Sequence, residues 1–583
     1  MIDVARSTDI TEASHTQNAN SSARSGIAYV WVAGALAVLA SAPALFARQI
    51  FGDDWSVYYV YWTEGTAGLA RVMWEAAHGG YTVPMWLSVA LLPNMPELAA
   101  RIGGLACHVV NGALLYRALS LSPHTRPIAA LSTALFLVSP FYVIRLTLNA
   151  VYDFFLVFYL LSLVLMNARA RLLRWIAPAC LFFSLSLETL VALEPLRLLL
   201  AWRTGERWTA WAARLFPFGL VILAVIALRL TIMGKSAHYA GQYAPIADIN
   251  VIVSTLASHL RAFPRAVSFA YQYAFAFSGQ AIALLLMAMA TAVFGLFGTG
   301  LFQTKRLLET RKSVGNALVL LALGAAIAVI GALPYALAGI YGDVTRGESR
   351  LLFPSQFGIL LLLATAIQCV PTVRVRAAVA GGALVLFALS MAHDAKWLLY
   401  DGLVTTDLQR QSRAALLAGS EPKLVMLRFA ESKPLFYRHR CLGASDMNVA
   451  QEMLRDETRE RSFIYTDNCG DFTNPDIVPR GRCPISYLDG FSCPAQRETW
   501  LYRAAPGIPP LAEIGMVELL RAVLDRSPSA TGGRGELLKL TGDQSLPLVR
   551  AEYKPPCGRG GAQALLWLLA IPSPNCDESK AKD

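Results

Sequence analysis

Charged residues are scarce in this chain of 583 residues. Asp, Glu, Lys and Arg make up only 16% of the chain, whereas hydrophobic residues make up 55%. A soluble globular domain carries about 25% charged residues. So few charges cannot cover the surface of several soluble domains. We therefore expect lipid to cover much of the molecule, with one membrane domain and one soluble appendix.

Blocks of consecutive Lys or Arg are also absent, although the formal net charge is +11. The excess lies in short loops between apolar segments, which is the pattern that the positive-inside rule produces in membrane proteins. A nucleic-acid-binding arm would concentrate its positive charge in one block. We therefore expect no nucleic-acid partner.

The sequence lacks the common catalytic fingerprints as well. It contains no Walker loop, dinucleotide fingerprint, H-E-x-x-H motif, G-x-S-x-G motif or zinc-site spacing. It also contains no internal repeat, which disfavours the transporter folds built from paired halves. ATP-driven transport and the common hydrolase classes lose support for these reasons.

The nine cysteines divide into two groups. Three lie in apolar segments and are expected to be ordinary core residues: Cys107, Cys180 and Cys369. Six lie after residue 400: Cys441, Cys469, Cys483, Cys493, Cys557 and Cys576. An even number of cysteines in a tail rich in Pro and Gly predicts a set of disulfides, whose pairing is unknown. Disulfides in turn indicate that the tail lies in an oxidising compartment. A metal site is the weaker alternative, because no C-x-x-C pair occurs.

Apolar segments suited to crossing a bilayer, which takes about 20 residues, recur along the chain. We predict about eleven spans, near 26–46, 98–119, 127–142, 150–167, 175–188, 190–202, 212–232, 278–302, 315–338, 351–370 and 376–394. The fifth and sixth are short and would form a hairpin around Glu188. The tail alternates strand-like and helical segments, at 423–429, 447–459, 462–466 and 511–525. The predicted fold class is an α-helical polytopic membrane protein with a small C-terminal α/β periplasmic domain stapled by disulfides.

Basic residues cluster in every second loop. They are Arg117, Arg126, Arg169, Arg171, Arg174, Arg203, Arg207, Arg214, Lys305, Arg306, Arg311, Lys312, Arg374 and Arg376. The positive-inside rule places these loops in the cytoplasm, with the N-terminus inside and the cysteine-rich tail outside. We therefore expect a bacterial inner-membrane protein. Residues 1–25, which lack a signal-peptide cleavage site, would be a disordered cytoplasmic tail, 26–400 the transmembrane domain and 401–583 the periplasmic domain.

Two long loops, 48–97 and 233–277, lie on the predicted outer side and mix aromatic with charged residues, which suits amphipathic helices in the membrane interface. Asp53 and Asp54 stand together at the start of the first loop, before Trp55. One of these carboxylates could take a proton from an acceptor hydroxyl, and the pair could bind a divalent cation. A helix N-terminus explains the same residues without catalysis.

Other ionisable residues lie near the membrane. Asp153 and Glu188 are acids at its edge or depth, where such residues are functional candidates; a helix start or a hairpin cap is the alternative explanation for each. His108 and Asn111 share one face of the second predicted span. A hydrogen bond between helices is the alternative to a catalytic role for this pair.

Cations on the predicted outer side run against the positive-inside tendency. Arg346 and Arg350, which flank Glu348, are the clearest examples, and Lys235 is a weaker one. Arg suits bidentate binding of a phosphate. The alternative is a side chain that snorkels to ordinary lipid head groups.

These motifs occur in a defined order. The acidic pair is followed by His108-Val109-Val110-Asn111-Gly112-Ala113-Leu114-Leu115-Tyr116, then Leu135-Phe136-Leu137-Val138-Ser139-Pro140, Asp153, Ser186-Leu187-Glu188-Thr189 and Glu348-Ser349-Arg350-Leu351-Leu352-Phe353-Pro354. The order resembles the type-C (GT-C) superfamily of polytopic glycosyltransferases, which use polyprenyl-phosphate-linked sugars. The resemblance covers roughly residues 26–400. Some branches carry an acid soon after the position of Pro140, where this chain has Ile144 and Arg145, which leaves the role of Asp153 open.

The resemblance implies transfer of a sugar from a polyprenyl phosphate to a glycan, lipid or protein acceptor on the outer side. The implied catalytic acids are Asp53, Asp54 and Asp153; the donor phosphate would bind to Arg346, Arg350 and Lys235; the supporting residues would be Glu188, His108, Glu348 and Trp55. No cofactor is implied beyond the divalent cation that the acidic pair could hold. Two other functions stay open: a transporter or lipid flippase, and a non-catalytic scaffold for envelope assembly.

Overall fold

The computed structural model describes residues 26–47, 52–76, 78–93, 95–146, 151–202, 206–233, 248–278, 311–342, 351–417, 421–430, 447, 462–466, 482–485, 488–492, 494–504, 515–516, 519–520, 535–541 and 544–547. Several predicted features lie outside these residues, namely the tail 1–25, the span 278–302 except its first residue, Lys235, Arg346, Glu348, Arg350, Cys441, Cys469, Cys493, Cys557 and Cys576. For Asp53, Asp54, Trp55 and Cys483, the description covers the backbone alone.

The described part of the chain is mostly helical. Its α-helices are α1 (Gly26–Leu45), α2 (Gly52–Glu75), α3 (Thr82–Leu91), α4 (Pro96–Ser120), α5 (Ala129–Leu137), α6 (Tyr142–Arg145), α7 (Val151–Met166), α8 (Arg171–Ser184), α9 (Glu194–Ala201), α10 (Trp208–Met233), α11 (Ile249–Ser278), α12 (Arg311–Leu337), α13 (Phe353–Cys369) and α14 (Val373–Leu417). Three 3-10 helices lie between them, at Gly79–Tyr81, Arg126–Ile128 and Glu188–Leu193.

Five described helices are long and apolar enough to cross a membrane: α1, α4, α10, α12 and α14. Helix α10 shows what covers this surface, because Phe216, Leu223 and Leu230 are 64%, 63% and 73% exposed. A row of exposed large apolar side chains needs an apolar environment. The chain is therefore a multi-pass helical membrane protein with a bilayer around it.

The other predicted spans within the described residues correspond to shorter helices. Segments Arg126–Leu137, Val151–Met166 and Phe353–Cys369 are apolar but have at most 17 residues. Helix α9 has eight residues, or about 12 Å at 1.5 Å per residue, which is far less than the hydrocarbon core. Its length is limited because Pro195 fixes the start of α9, so residues 188–193 form a 3-10 helix instead.

The described part of loop 48–97 is mostly helical, as predicted from its composition. Helix α2 is kinked at Gly65, whose φ of 69° suits glycine because it has no Cβ. The two halves of α2 and helix α3 enclose a small core of their own, made by Val57, Val60, Leu69, Val72, Met73 and Met85. Tyr58 Oη and Ser88 Oγ, 3.2 Å apart, join α2 to α3. The acidic pair Asp53-Asp54 thus lies in the first turn of a helix that belongs to a packed unit.

Glycines allow α12 and α13 to approach closely. A Cβ added at Gly358 would overlap the carbonyl oxygen of Gly324 and the main-chain nitrogen of Ala328. A Cβ at Gly331 would lie 2.7 Å from the main-chain nitrogen of Ser355. Small residues of this kind are what membrane helices use to bring their backbones together.

Helix α14 has 45 residues, or about 67 Å, and is much longer than a bilayer core. It runs through position 400, so the predicted boundary between 400 and 401 lies inside a continuous helix. No proline interrupts it, and its residues Val404 and Leu408 are buried in the same core as Leu398. Gln411 Oε1 accepts a hydrogen bond of 3.1 Å from the main-chain N–H of Leu537 in the tail. The helix therefore continues from the membrane domain to a contact with the tail.

The described part of the tail contains two sheets. Its strands are β1 (Leu424–Phe429), β2 (Phe463–Thr466), β3 (Arg482–Ile485), β4 (Leu488–Ser492), β5 (Arg497–Ala504), β6 (Gly535–Thr541) and β7 (Gln544–Pro547). The larger sheet has the order β2-β1-β5-β6-β7, with β1 parallel to β2 and β5 and the other pairs antiparallel; β3 and β4 form a separate antiparallel pair. The predicted strands 423–429 and 462–466 are confirmed as β1 and β2. Most of 447–459 and 511–525 lies outside the described residues.

Glu498 ties three strands of this sheet together. Its Oε1 lies 2.9 Å from Nζ of both Lys423 and Lys539, and its Oε2 accepts a 3.0 Å hydrogen bond from Trp500 Nε1. Burial alone would raise the pKa of Glu498. The three hydrogen bonds, from Lys539, Lys423 and Trp500, outweigh burial and lower the pKa to about 2.

Candidate functional site

Glu188 and Arg229 form an ion pair that brings a turn and a membrane helix together. Glu188 opens the 3-10 helix after α8, and Arg229 lies near the end of α10. Arg229 Nη2 lies 2.9 Å from Glu188 Oε2 and donates a 2.7 Å hydrogen bond to the Ser186 carbonyl oxygen. The Glu188 side chain is 46% exposed, whereas that of Arg229 is only 15% exposed. An accessible carboxylate is therefore held by a largely buried guanidinium.

The turn after α2 packs against this ion pair. The rings of His78 and Tyr81 lie 4.7 Å apart, and Tyr81 contacts Phe155 of α7 at 5.4 Å. Gly80 lies directly on Ser186, since a Cβ at Gly80 would overlap the Ser186 side chain. Only glycine allows the two turns to meet so closely. The unit that begins with Asp53-Asp54 thus ends against the turn that carries Glu188.

The Glu188–Arg229 ion pair also affects the pKa of His78. Burial lowers the pKa of His78; the Glu188 carboxylate opposes this effect and the Arg229 guanidinium adds to it. The Tyr81 hydroxyl interacts electrostatically with Glu188 and Arg229, and also with Tyr152 and Tyr335.

Aromatic rings from α7 and α12 also contact residues of neighbouring helices. Tyr152 packs edge-on against Phe353 with ring centroids 5.5 Å apart. The ring of Tyr335 stacks on His259 of α11 at 5.5 Å, and Nε2 of His259 lies 2.9 Å from the Ile340 carbonyl oxygen. These contacts join α7 to α13 and α11 to α12.

Asp153 lies in a second, fully buried network. Its Oδ1 is 3.0 Å from His108 Nδ1 and accepts a 3.3 Å hydrogen bond from Asn111 Nδ2, which also donates to the Asp153 carbonyl oxygen at 2.8 Å. Nε2 of His108 lies 2.9 Å from the Leu137 carbonyl oxygen. The hydrogen bond between helices that the sequence offered as the alternative for His108 and Asn111 is therefore present. It joins α4 to α7.

Arg145 is the cation beside Asp153. Its Nη1 lies 3.6 Å from Asp153 Oδ2, and each side chain is 1% exposed. The guanidinium carbon lies 4.6 Å from the ring centroid of Phe353, 5.2 Å from that of Tyr142 and 5.9 Å from that of Phe136. Arg145 is thus the ionic partner of Asp153. Asp153, which the sequence placed at the edge or depth of the membrane, lies in the protein interior, where Arg145 compensates its charge and His108 and Asn111 contact its Oδ1.

The structure brings some predicted residues together and separates others. His108 and Asp153 meet in one buried network, whereas Glu188 lies in a separate place, paired with Arg229. The sequence analysis missed Arg229, although a signal was present. Arg229 is the sole charged residue between positions 215 and 233 of an apolar helix, and an ionisable residue at such a place is a functional candidate.

Among the residues that the structure describes, no group of three or more His, Cys, Asp or Glu side chains could hold a metal ion. Comparison with protein-family models finds no family that matches the chain. Comparison with curated proteins finds no significant match either.

Proposed function

We propose that this protein is a membrane glycosyltransferase that moves a sugar from a polyprenyl-phosphate donor to an acceptor hydroxyl. The observation that carries the proposal is the Glu188–Arg229 ion pair, whose neighbour Ser186 contacts Gly80 of the turn after α2. It supplies an accessible carboxylate and a guanidinium where a lipid-linked substrate can approach from the bilayer. The order of motifs in the membrane domain supports the same assignment.

The chemistry of sugar transfer needs these two kinds of group. The acceptor oxygen forms a bond to the anomeric carbon and loses its proton to a carboxylate, for which Asp53 and Asp54 are the candidates. The bond between the anomeric carbon and the phosphate oxygen breaks, and its electron pair leaves with the phosphate. Cations stabilise that departing charge; the candidates are Arg346, Arg350, Lys235 and the newly found Arg229.

Sidedness forms part of this proposal. About eleven spans would place the N-terminus in the cytoplasm of a bacterium and the tail in the periplasm, where oxidation would join its six cysteines and where the tail would bind the acceptor. A protease added to intact spheroplasts should digest a tag after residue 583 but spare a tag before residue 1. The reverse pattern would refute the orientation.

The test of function uses purified protein and a labelled sugar on polyprenyl phosphate. Asp53→Ala, Asp54→Ala and the double variant should retain the melting temperature of the wild type, while at least one loses sugar transfer. Glu64→Gln is the matched control, because Glu64 is an exposed acid of the same helix that pairs with Arg71 at 2.7 Å; it should keep full activity. Full activity in all three Asp variants would refute the assignment of Asp53 and Asp54 as catalytic residues.

A transporter or lipid flippase is the second candidate, and the buried charges favour it. Ion pairs such as Arg145–Asp153 within an apolar bundle are common along the pathways of transporters. Uptake of a lipid-linked sugar into proteoliposomes, without any transferred product, would place this function first.

A further inference from the structure

We infer that Arg229 binds the phosphate group of a membrane lipid, and that Glu188 occupies this position when no lipid phosphate is bound. Binding itself is independent of sugar transfer. The identity of the lipid as the sugar donor rests on the proposed function.

The place of Arg229 on α10 suits a lipid phosphate. Ile226, one turn before Arg229 on the same side of α10, and Leu230, the next residue, are 48% and 73% exposed, so lipid tails run along this part of the helix. Arg229 lies four residues before the last residue of the helix, Met233. An Arg side chain near the end of such a helix reaches toward the head-group level. A lipid lying against α10 would therefore bring its phosphate close to the guanidinium.

The Arg229 guanidinium also has N–H donors besides those in its two described contacts. Within the described part of the chain, its ion pair and its hydrogen bond both use Nη2. The guanidinium carries five N–H donors in a planar fork. Its contact with Glu188 joins one nitrogen to one oxygen, which is weaker than the two parallel hydrogen bonds that Arg makes with a phosphate. A phosphate can engage the fork more fully than Glu188 does.

The two partners differ in how easily they can move. Glu188 is 46% exposed, so its carboxylate can turn into water, and ion pairs with a well-solvated partner are weak. Arg229 is 15% exposed and is also held by the Ser186 carbonyl oxygen. Departure of Glu188 would therefore leave the guanidinium in place. Arg229 is largely buried, and the lower dielectric constant of a buried site strengthens the attraction between a guanidinium and a phosphate.

The exchange has a consequence for the proposed reaction. Once a donor phosphate binds to Arg229, Glu188 loses its counter-ion and is free to orient an acceptor hydroxyl by accepting a hydrogen bond from it. Donor binding would then prepare the carboxylate at the same site. This last step rests on the proposed function, whereas the exchange on Arg229 does not.

The test measures binding to the full-length protein in detergent. The probes are a polyprenyl monophosphate, the polyprenol of the same chain length, and inorganic phosphate. Wild type should bind the monophosphate at least about tenfold more tightly than the alcohol. A hydrogen bond to a charged group changes an affinity by about this factor or more. Arg229→Gln should lose this preference, while Glu188→Gln should bind the monophosphate more tightly because the competing charge is gone.

Arg214→Gln is the matched control, because Arg214 lies on the same helix and pairs with Glu206 away from the proposed site; it should bind like wild type. Unchanged monophosphate binding in Arg229→Gln would overturn the inference. If Arg229→Gln does not fold, the Glu188→Gln variant provides the test. Monophosphate binding by Glu188→Gln that is unchanged or weaker than that of wild type would then overturn the inference. Inorganic phosphate that competes as well as the lipid would identify a soluble phosphate ligand and would also overturn it.

The two proposals fail separately. Lipid-phosphate binding through Arg229 in a protein that transfers no sugar would refute the proposed function alone. Sugar transfer with unchanged donor affinity in Arg229→Gln would refute this inference alone.

Discussion

Arg145 and Asp153 form an ion pair in the interior of the helical bundle, with Nη1 and Oδ2 3.6 Å apart and 1% of each side chain exposed. His108 contacts the other oxygen of the same carboxylate at 3.0 Å. Asp153 therefore holds α4, α6 and α7 through one buried negative charge. A charge in such a place tolerates little change, because its removal leaves a buried cation without compensation.

We expect Asp153→Asn to destabilise the protein by about 3–5 kcal/mol, the range found when one partner of a buried ion pair is removed. Arg145→Met combined with Asp153→Asn should regain much of this loss, because no buried guanidinium then remains unpaired. Melting temperatures in detergent measure both effects. If Asp153→Asn alone keeps wild-type stability but loses activity, the structural role of Asp153 is contradicted and a catalytic role is favoured.

Gly358→Ala should separate α12 from α13. The added Cβ would overlap the Gly324 carbonyl oxygen and the main-chain nitrogen of Ala328, and overpacking of this kind costs about 1–3 kcal/mol. Gly382→Ala is the control on α14, because a Cβ there has nothing within 4 Å. It should be neutral or slightly stabilising, since Ala is the better helix former. Equal unfolding free energies for the two variants would show that close packing at Gly358 is unimportant.

The contribution of Glu498 to stability should depend on pH in a defined window. Its folded pKa of about 2 lies below the ordinary Glu value of about 4.3. The stabilisation is therefore complete above the ordinary value, declines as the pH falls below it, and is lost as the pH passes through the folded value. Glu498→Gln should reduce the stability of the tail at pH 7, and the difference from wild type should shrink towards pH 3.

Glu536→Gln provides the comparison for this measurement. Glu536 lies on β6 and pairs with Arg503 at 2.8 Å, but both side chains are more than 40% exposed, and such surface pairs contribute little. Chemical denaturation followed by tryptophan fluorescence at several pH values would report both variants. A Glu498→Gln difference that stays constant from pH 7 to pH 3 would contradict the proposed role of the lowered pKa.

The sequence alone determined the local features of this protein. Apolar segments predicted helices that suit a membrane, and the composition of loop 48–97 predicted the helices found there. Alternating segments predicted β1 and β2. Each of these features depends on residues within about 20 positions of one another, because hydropathy and secondary-structure preference are properties of a local segment. The ambiguity of Glu188 was also visible locally, as an acid between two apolar segments.

Only the tertiary structure decided which residues meet. Arg229 joins Glu188, and Arg145 joins Asp153, because particular faces of different helices pack together. Helix α14 continues past position 400 because the tail buries its next turns, which no local pattern reveals. The contact between Gly80 and Ser186 that places the unit of Asp53-Asp54 beside Glu188 depends on the fit of two turns distant in sequence. Ion pairs and close packing depend on such three-dimensional fit, and a linear pattern of residues does not contain it.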